Sequence, residues 1–131
     1  MPQLTSIDLS YNAIENIPED IVKMENLKNL TLKSNKIKNL PDYISELKNL
    51  EILQLDFNQI EVLPDSIGNL PNLNWLCLEN NKITILPKTA ANLKKLTWLS
   101  IEGTPLGNEH KLTYGAFTNV DTPFFKKLLE K

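Results

Sequence analysis

A 23-residue repeat is the feature of this sequence that most constrains its fold. The segment 50–72 reads LEILQLDFNQIEVLPDSIGNLPN, and its apolar residues, asparagine and proline recur at the same places 23 residues earlier and 23 residues later. A fixed period of this length indicates stacked units that bury their apolar side chains against one another. We therefore predict a repeat array over 1–106, with repeats at about 4–26, 27–49, 50–72, 73–95 and 96–106.

Each repeat divides into a strand half and a return half. The strand half alternates apolar and polar residues, which predicts a short strand with one buried face. An asparagine follows the strand at positions 12, 35, 58 and 81, where its amide can satisfy backbone groups of the turn and of the neighbouring repeat. A proline then fixes φ and removes a donor at positions 18, 41, 64 and 87, so the return half should be extended or a short turn, followed by one or two helical turns.

The complete pattern, LxxLxLxxNxIxxLPxxIxxLxx, resembles the leucine-rich repeat family. The LP pair and the repeat length are similar to those of its Ras-suppressor-type subclass. The resemblance implies an α/β solenoid, a horseshoe with a concave parallel β-sheet and with turns or short helices on the convex side. It also implies that the concave sheet binds proteins, in scaffold or signalling roles.

The C-terminal segment 107–131 lies outside the repeat, because Thr104 occupies the asparagine position of the fifth repeat and Pro105 follows it. Thr122 and Pro123 are typical of a helix N-cap and first helical position, and the apolar residues after them predict a helix at about 123–130. Since a solenoid must cover the apolar end of its last repeat, we predict a C-terminal cap, with a docking helix as the alternative.

The N-terminal edge has no equivalent cover in the sequence. Three residues precede Leu4 and are too few to shield the apolar side chains of the first repeat. Three explanations stay open: the chain was cut from a longer one, the first repeat tolerates exposure, or this edge mediates self-association.

Composition argues against several classes of partner. The net charge is −2, and all 14 basic residues are lysine, so the arginine fork that reads phosphates and bases is missing. No run of about 18 apolar residues appears, and we expect neither nucleic acid nor membrane as a partner. We expect a cytoplasmic location, or a secreted effector if a signal peptide was removed.

No constellation of catalytic residues is visible. His110 is the only histidine and stands beside Glu109 in a tail loop, which favours a solvated loop pair. Cys77 is the only cysteine, which excludes an internal disulfide and a cysteine-based metal cluster and predicts an inert, partly exposed thiol. The GTPLG segment lacks the lysine of a phosphate loop. We predict no enzyme activity, catalytic residue, metal site or cofactor.

The concave face is the predicted binding site. Equivalent positions of successive strands form rows across the sheet, and neighbouring residues within a row lie about 4.8 Å apart. One row is an apolar ridge of Ile52, Trp75 and Trp98, and another is an acidic row of Asp56, Glu79 and Glu102. Phe57 flanks them, and the other end carries Tyr11 and Lys33. The alternative is that Trp98 packs under the C-terminal tail and Trp75 has no role.

The sequence therefore predicts a protein–protein interaction module whose concave face binds a partner with a basic and apolar contact surface. One alternative is a regulatory or scaffold domain cut from a larger signalling protein or effector. Another is a structural unit that self-associates through its N-terminal edge.

Overall fold

A computed structural model describes residues 3–110, 116–117 and 123–129 of the 131-residue chain. Its centre is a parallel sheet of five three-residue strands, in chain order: β1 (Ser6–Asp8), β2 (Asn29–Thr31), β3 (Ile52–Gln54), β4 (Trp75–Cys77) and β5 (Trp98–Ser100). Each strand residue pairs with the residue 23 positions later, as Ile52 does with Trp75. The predicted solenoid with a parallel sheet is confirmed.

A 3-10 helix follows each of the first four strands, in chain order Glu19–Lys23, Asp42–Glu46, Asp65–Asn69 and Lys88–Asn92. Each helix begins directly after the proline of its repeat, whose φ lies between −65° and −74°. In the second helix, the Ile44 N–H donates to Pro41 O at 3.1 Å, which is the short-range bonding of a 3-10 turn. Each of these five-residue helices buries one isoleucine or alanine in the core, so a short 3-10 helix is enough to complete the repeat.

The core lies between the sheet and the 3-10 helices. In the central repeat, Leu53 and Leu55 of the strand side and Ile67 of the helix side are all 0% exposed. The first repeat is less covered, since Leu9 is 37% exposed and the equivalent Leu32 is 1% exposed. β1 is the terminal strand in the sheet order, so its outer edge has no strand partner within the described residues.

A ladder of buried asparagines joins the repeats at the turn after each strand. The Asn58 amide nitrogen donates to Leu32 O and to Leu55 O, both at 2.9 Å, and its Oδ1 accepts from the Ile37 N–H at 3.0 Å. Asn35 and Asn81 repeat the same bonds one unit before and after. Each asparagine therefore satisfies backbone groups of two repeats, as the sequence predicts.

The fifth repeat ends in a way the sequence analysis did not foresee. Thr104 caps helix α1 (Pro105–Glu109), because its Oγ1 accepts from the Gly107 N–H at 2.9 Å. A short strand β6 (Ala116–Phe117) then pairs antiparallel with β5. The same Thr-Pro pair that signals a helix start at Thr122 also stands at Thr104, so the signal for α1 was present in the sequence.

A second helix, α2 (Pro123–Leu128), lies within the predicted span 123–130. Its Phe125 and Leu128 are 1% and 0% exposed and belong to the same apolar core as the repeats. The predicted N-cap Thr122 lies outside the described residues. None of the helices within the described ranges is both long enough and apolar enough to traverse a bilayer.

The ladder gives a direct test of stability. Replacing Asn58 with alanine leaves three buried backbone groups without their amide partner, and each such group costs about 1–3 kcal/mol, partly recovered by relaxation. We expect Asn58→Ala to lower the free energy of unfolding by about 3 kcal/mol in urea denaturation. Asn12→Ala is the matched control, because Asn12 is exposed and bonds only within its own repeat, and should cost under about 1 kcal/mol. Equal losses for the two variants would contradict a role for the inter-repeat bonds.

Candidate functional site

The side of the sheet that faces away from the 3-10 helices is called the open face below. In β2 and β3 the middle residue is buried and its two neighbours are partly exposed, so alternate side chains point to the open face. Equivalent residues form four rows across the strands. The first row is Ser6, Asn29, Ile52, Trp75 and Trp98; the second is Asp8, Thr31, Gln54, Cys77 and Ser100; the third is Ser10, Lys33, Asp56, Glu79 and Glu102; the fourth is Tyr11, Ser34, Phe57, Asn80 and Gly103.

Trp75 and Trp98 stack on one another in the first row. Their ring centroids are 5.0 Å apart and the ring planes differ by 24°, and Ile52 is the next residue of the row on β3. Stacking of this kind adds about 0.5–1.5 kcal/mol beyond the area that the rings bury. Trp75 nevertheless remains 36% exposed, so the structure holds a rigid aromatic surface toward solvent.

Trp98 has a second neighbour on its other side. β6 pairs with β5, and Phe117 lies opposite Trp98 in the backbone register. Trp98 is also only half-buried. The structure therefore has features of both sequence interpretations, the apolar ridge for binding and the packing of Trp98 against the C-terminal tail. The tail strand lies beside Trp98, and the exposed part of the pair is mainly Trp75.

The acidic row is less uniform than its sequence suggests. Asp56 is only 6% exposed, because its Oδ1 accepts from the Glu79 N–H at 2.9 Å and the carboxyl turns toward the neighbouring repeat. Burial raises the pKa of Asp56 above its ordinary value. The sequence placed Asp56 among exposed contact residues, whereas here its carboxylate fixes the backbone at Glu79. Lys33 continues the row two strands away from Glu79.

Glu79 and Glu102 are neighbouring carboxyl groups on the open face. The Asn80 N–H donates to Glu102 O at 2.9 Å, so the two backbones stay paired beyond the strand ends and the side chains lie side by side. The hydrogen bond with Glu102, together with burial, raises the pKa of Glu79 from 4.5 to about 7. In the folded protein Glu79 therefore keeps its proton up to about pH 7.

This pair makes stability depend on pH in a definite direction. In the unfolded chain Glu79 releases its proton near pH 4.5, and in the folded protein it does so near pH 7. Between these values the folded state binds more protons, so stability falls as pH rises through this window and levels off above it. We expect the melting temperature to fall from pH 4.5 to 7.5, and Glu79→Gln to remove part of that fall.

The matched control is Glu46→Gln, which changes an exposed carboxylate on the 3-10 helix Asp42–Glu46, away from the open face. This variant should follow the wild-type pH profile. Melting temperatures of wild type and Glu79→Gln that run parallel from pH 4.5 to 7.5 would contradict the raised pKa of Glu79.

The fourth row has an unusual backbone. Its five residues all have positive φ, namely Tyr11 at 60°, Ser34 at 55°, Phe57 at 59°, Asn80 at 56° and Gly103 at 75°. The Phe57 N–H donates to Glu79 O at 2.9 Å, and equivalent bonds form at Tyr11, Ser34 and Asn80, so in these four turns the neighbouring repeat imposes the conformation. It costs about 1–2 kcal/mol for residues with a Cβ, and aromatic side chains tolerate it poorly. Phe57 and Tyr11 are nevertheless aromatic, and they are 55% and 81% exposed.

Strain at an exposed aromatic residue is a signal of function that the sequence alone does not contain. Phe57→Asn should raise the free energy of unfolding by about 1 kcal/mol, because asparagine accepts this region of φ more readily. The reciprocal change, Asn80→Phe, places an aromatic residue at the same turn of the next repeat and should lower stability by a similar amount. Urea denaturation measures both, and a destabilised Phe57→Asn would show that packing of this ring outweighs its strain.

Cys77 lies on the open face but is buried, at 8% exposure. Burial, reinforced by the nearby Asp56 carboxylate, raises the pKa of its thiol from 9.0 to about 11. The thiol is therefore protonated at neutral pH. The sequence expectation of a partly exposed thiol was wrong, because neighbouring side chains exclude solvent from Cys77.

The structure brings no catalytic set together among the described residues. His110 ends α1, in a different part of the chain from Cys77. No group of three or more potential metal ligands occurs in the described ranges. Sequence reasoning also missed Ser100, which is 1% exposed and forms a side-chain hydrogen bond with Cys77. Its position in the second row was known from the sequence, but its burial was not.

Comparisons with known proteins agree with this architecture. A family model described as leucine rich repeat matches residues 2–60 and residues 48–106. A search of curated proteins gave no match. Among solved structures, a leucine-rich repeat protein of Leptospira interrogans has 39% identity and a TM-score of 0.77, and the match covers 79% of this chain and 26% of that one.

Two plant structures are also similar. The ectodomain of the Arabidopsis thaliana membrane receptor kinase GASSHO1/SCHENGEN3, in complex with CASPARIAN STRIP INTEGRITY FACTOR 2, has 32% identity and a TM-score of 0.69, covering 77% of this chain and 13% of that one. The BIR3–SERK2 complex of the same organism has 29% identity and a TM-score of 0.67, covering 75% of this chain and 55% of the matched one. The match thus spans between 13% and 55% of the length of these three chains.

Proposed function

Because the chain belongs to the leucine-rich repeat family, we propose that it is a protein-interaction module that binds a partner protein on its open face. The observation that carries the proposal is the stacked Trp75–Trp98 pair, which keeps Trp75 36% exposed on two adjacent strands. Exposed aromatic rings on a rigid support are typical of binding hot spots. Two similar structures are complexes with other proteins, which also favours this function.

The contact residues divide by chemistry. Trp75, Trp98 and Ile52 supply an apolar ridge, and Phe57 adds a second exposed ring on the same side of the sheet. Glu79 and Glu102 supply acidic groups for a basic surface of the partner, and Asp56 positions Glu79. Lys33 and Tyr11 extend the surface toward the N-terminal edge. Since short strands fix these positions before binding, little conformational entropy is lost on association.

The finer assignments are part of the same proposal. The LP pair and the 23-residue unit favour the Ras-suppressor-type subclass, with an array at 1–106 and a C-terminal cap at 107–131. The buried Phe125 and Leu128 of α2 support the cap, because they join the apolar core. We propose no catalytic role and no cofactor for this unit.

The module is proposed to act within a larger signalling protein or effector, as a regulatory or scaffold domain. The support is that the relatives with solved structures are longer, and one of them is a receptor ectodomain. A cytoplasmic location and a secreted effector both fit this role. Nucleic acid and membrane are not proposed as partners, given the net charge of −2 and the absence of arginine from the sequence.

The ridge is tested by comparing two double variants. Trp75→Ala with Trp98→Ala should abolish capture of the partner while circular dichroism stays unchanged, because both rings lie on the open face rather than in the core. Val62→Ala with Ile85→Ala is the matched control, since these exposed apolar residues are also 23 positions apart but lie outside the four rows of the open face. Affinity capture followed by mass spectrometry reads out both, and a partner retained by the tryptophan variant would refute the assignment.

A second function, self-association, is favoured by the incompletely covered first repeat. Leu9 is 37% exposed and β1 has an unpaired edge within the described residues. Light scattering across protein concentration separates the two functions. A mass that stays monomeric at every concentration removes self-association and leaves the open-face proposal unaffected.

A further inference from the structure

β1 presents a backbone edge to solvent at the N-terminal end of the sheet. The Leu9 N–H donates to Thr31 O at 2.9 Å, so the odd-numbered residues of this segment bond to β2. Successive residues of a strand direct their N–H and C=O groups to opposite sides. Ser6 and Asp8 therefore direct theirs away from β2, toward an edge that has no strand partner within the described residues.

The turn after β1 limits this edge to the strand itself. The next outward donor, the Ser10 N–H, is taken by Asp8 Oδ1 at 3.0 Å, and Ser10 O accepts from the Asn12 amide at 3.2 Å. Ser6 and Asp8 remain, and each offers one backbone donor and one backbone acceptor to an added strand. An edge of this kind is a template for strand addition.

The core side of the first repeat is open at the same end. Five of its apolar residues are partly or fully exposed, whereas their equivalents in the second repeat are 0% or 1% exposed. These pairs of residues are Leu4 and Leu27, Ile7 and Leu30, Leu9 and Leu32, Ile14 and Ile37, and Met24 and Leu47. A strand that alternates apolar and polar residues would cover Ile7 on the core side and keep its polar side chains on the open face.

The first repeat is also acidic. Residues 4–26 contain one lysine against five acidic residues, which gives a formal charge of −4. The acidic side chains are all exposed, namely Asp8, Glu15, Glu19, Asp20 and Glu25. An occupant of the free edge therefore meets a negative surface.

The repeats alternate in the sign of their charge. Five lysines against two acidic residues in 27–49 give +3, and four acidic residues without a lysine in 50–72 give −4. Four lysines against one glutamate in 73–95 give +3 again. The acidic third repeat thus lies between two basic repeats, whereas the acidic first repeat has a basic neighbour on one side only within the described residues. By the same complementarity, the open side of the first repeat fits a basic occupant.

We propose that the free edge of β1 accepts a strand of a partner protein that has one basic and one apolar face. The second repeat illustrates the chemistry, because its segment 28–33, KNLTLK, has a lysine at each end and places Leu30 beside Ile7. A second copy of this chain is less complementary, since two first repeats that meet edge to edge bring two charges of −4 together. This surface is separate from the tryptophan ridge, because β1 and β4 are three strand spacings, or about 14 Å, apart.

Two peptides with blocked termini test the proposal. The probe has the sequence of residues 27–36, LKNLTLKSNK, with a formal charge of +3, and the control has that of residues 50–59, LEILQLDFNQ, with a charge of −2. The control has five apolar residues against three in the probe, so binding by apolar burial alone would favour the control.

Solvent-exchange NMR of the full chain at pH 7 and low ionic strength follows the amides of Ser6 and Asp8. The basic peptide at about 2 mM should slow their exchange about threefold or more, which is the factor expected at twice the dissociation constant. The acidic peptide should leave the exchange unchanged. The effect of the basic peptide should weaken at about 0.5 M salt.

Two variants separate the backbone edge from its charge. Ser6→Pro removes an outward N–H, leaves the bonds to β2 in place and should abolish the slowed exchange of Asp8. Asp8→Asn keeps an oxygen for the Ser10 N–H but removes the charge, and should weaken peptide binding about threefold. Glu46→Gln, an exposed change in the second repeat, should bind the peptide as the wild type does. Circular dichroism checks that each variant is folded.

Several outcomes would overturn the proposal: equal effects of the two peptides, no effect of the basic peptide, or full binding to a folded Ser6→Pro or to Asp8→Asn. Exchange at Ser6 and Asp8 that slows with rising protein concentration, without any peptide, would assign the edge to a second copy and would also overturn it. The variant Trp75→Ala with Trp98→Ala should bind the basic peptide normally. A failure at this edge is therefore distinguishable from a failure of the open-face function.

Discussion

The structure depends on one constraint: the chain must leave each strand through a buried turn whose backbone groups cannot reach water. The asparagine at this turn resolves the constraint, because a single amide both donates to and accepts from two consecutive repeats. Asn58 bonds the carbonyls of Leu32 and Leu55 and the N–H of Ile37. These bonds fix the offset between repeats, and the offset in turn places equivalent side chains of the open face in straight rows.

The same turn explains the strained fourth row. In the first four repeats, once the strand and the asparagine are fixed, the residue between them adopts a positive φ through its bond to the next repeat, whatever its side chain. Gly103 adopts this conformation without penalty, and Asn80 tolerates it. Phe57 and Tyr11 adopt it at a cost and project their rings into solvent. Because Phe57 and Tyr11 keep this backbone strain while their rings stay exposed, their presence favours a role in contact with a partner rather than in folding.

The open face therefore combines two kinds of surface on one rigid support. Toward one end of β4 and β5 lies an aromatic stack, and just beyond their other end lie the neighbouring carboxyls of Glu79 and Glu102. The small side chains of Cys77 and Ser100 lie buried between them. Because the repeats hold both groups in place before any partner arrives, specificity can arise from their spacing and from the charge state of the carboxyls.

The sequence by itself determined the period, the parallel sheet, the asparagine ladder and the membership of each row, because these follow from local patterning repeated at a fixed interval. It placed Trp75 beside Trp98 and Glu79 beside Glu102. It did not determine that Asp56 turns inward, that the pKa of Glu79 is raised by its hydrogen bond with Glu102, or that α1 and β6 follow the last repeat. Those features depend on which atoms of different repeats come within hydrogen-bond distance, and on how much water neighbouring side chains exclude. Only the tertiary structure decides such contacts. The position in a row fixes the backbone of a residue, but packing decides the conformation of its side chain and the atoms that it reaches.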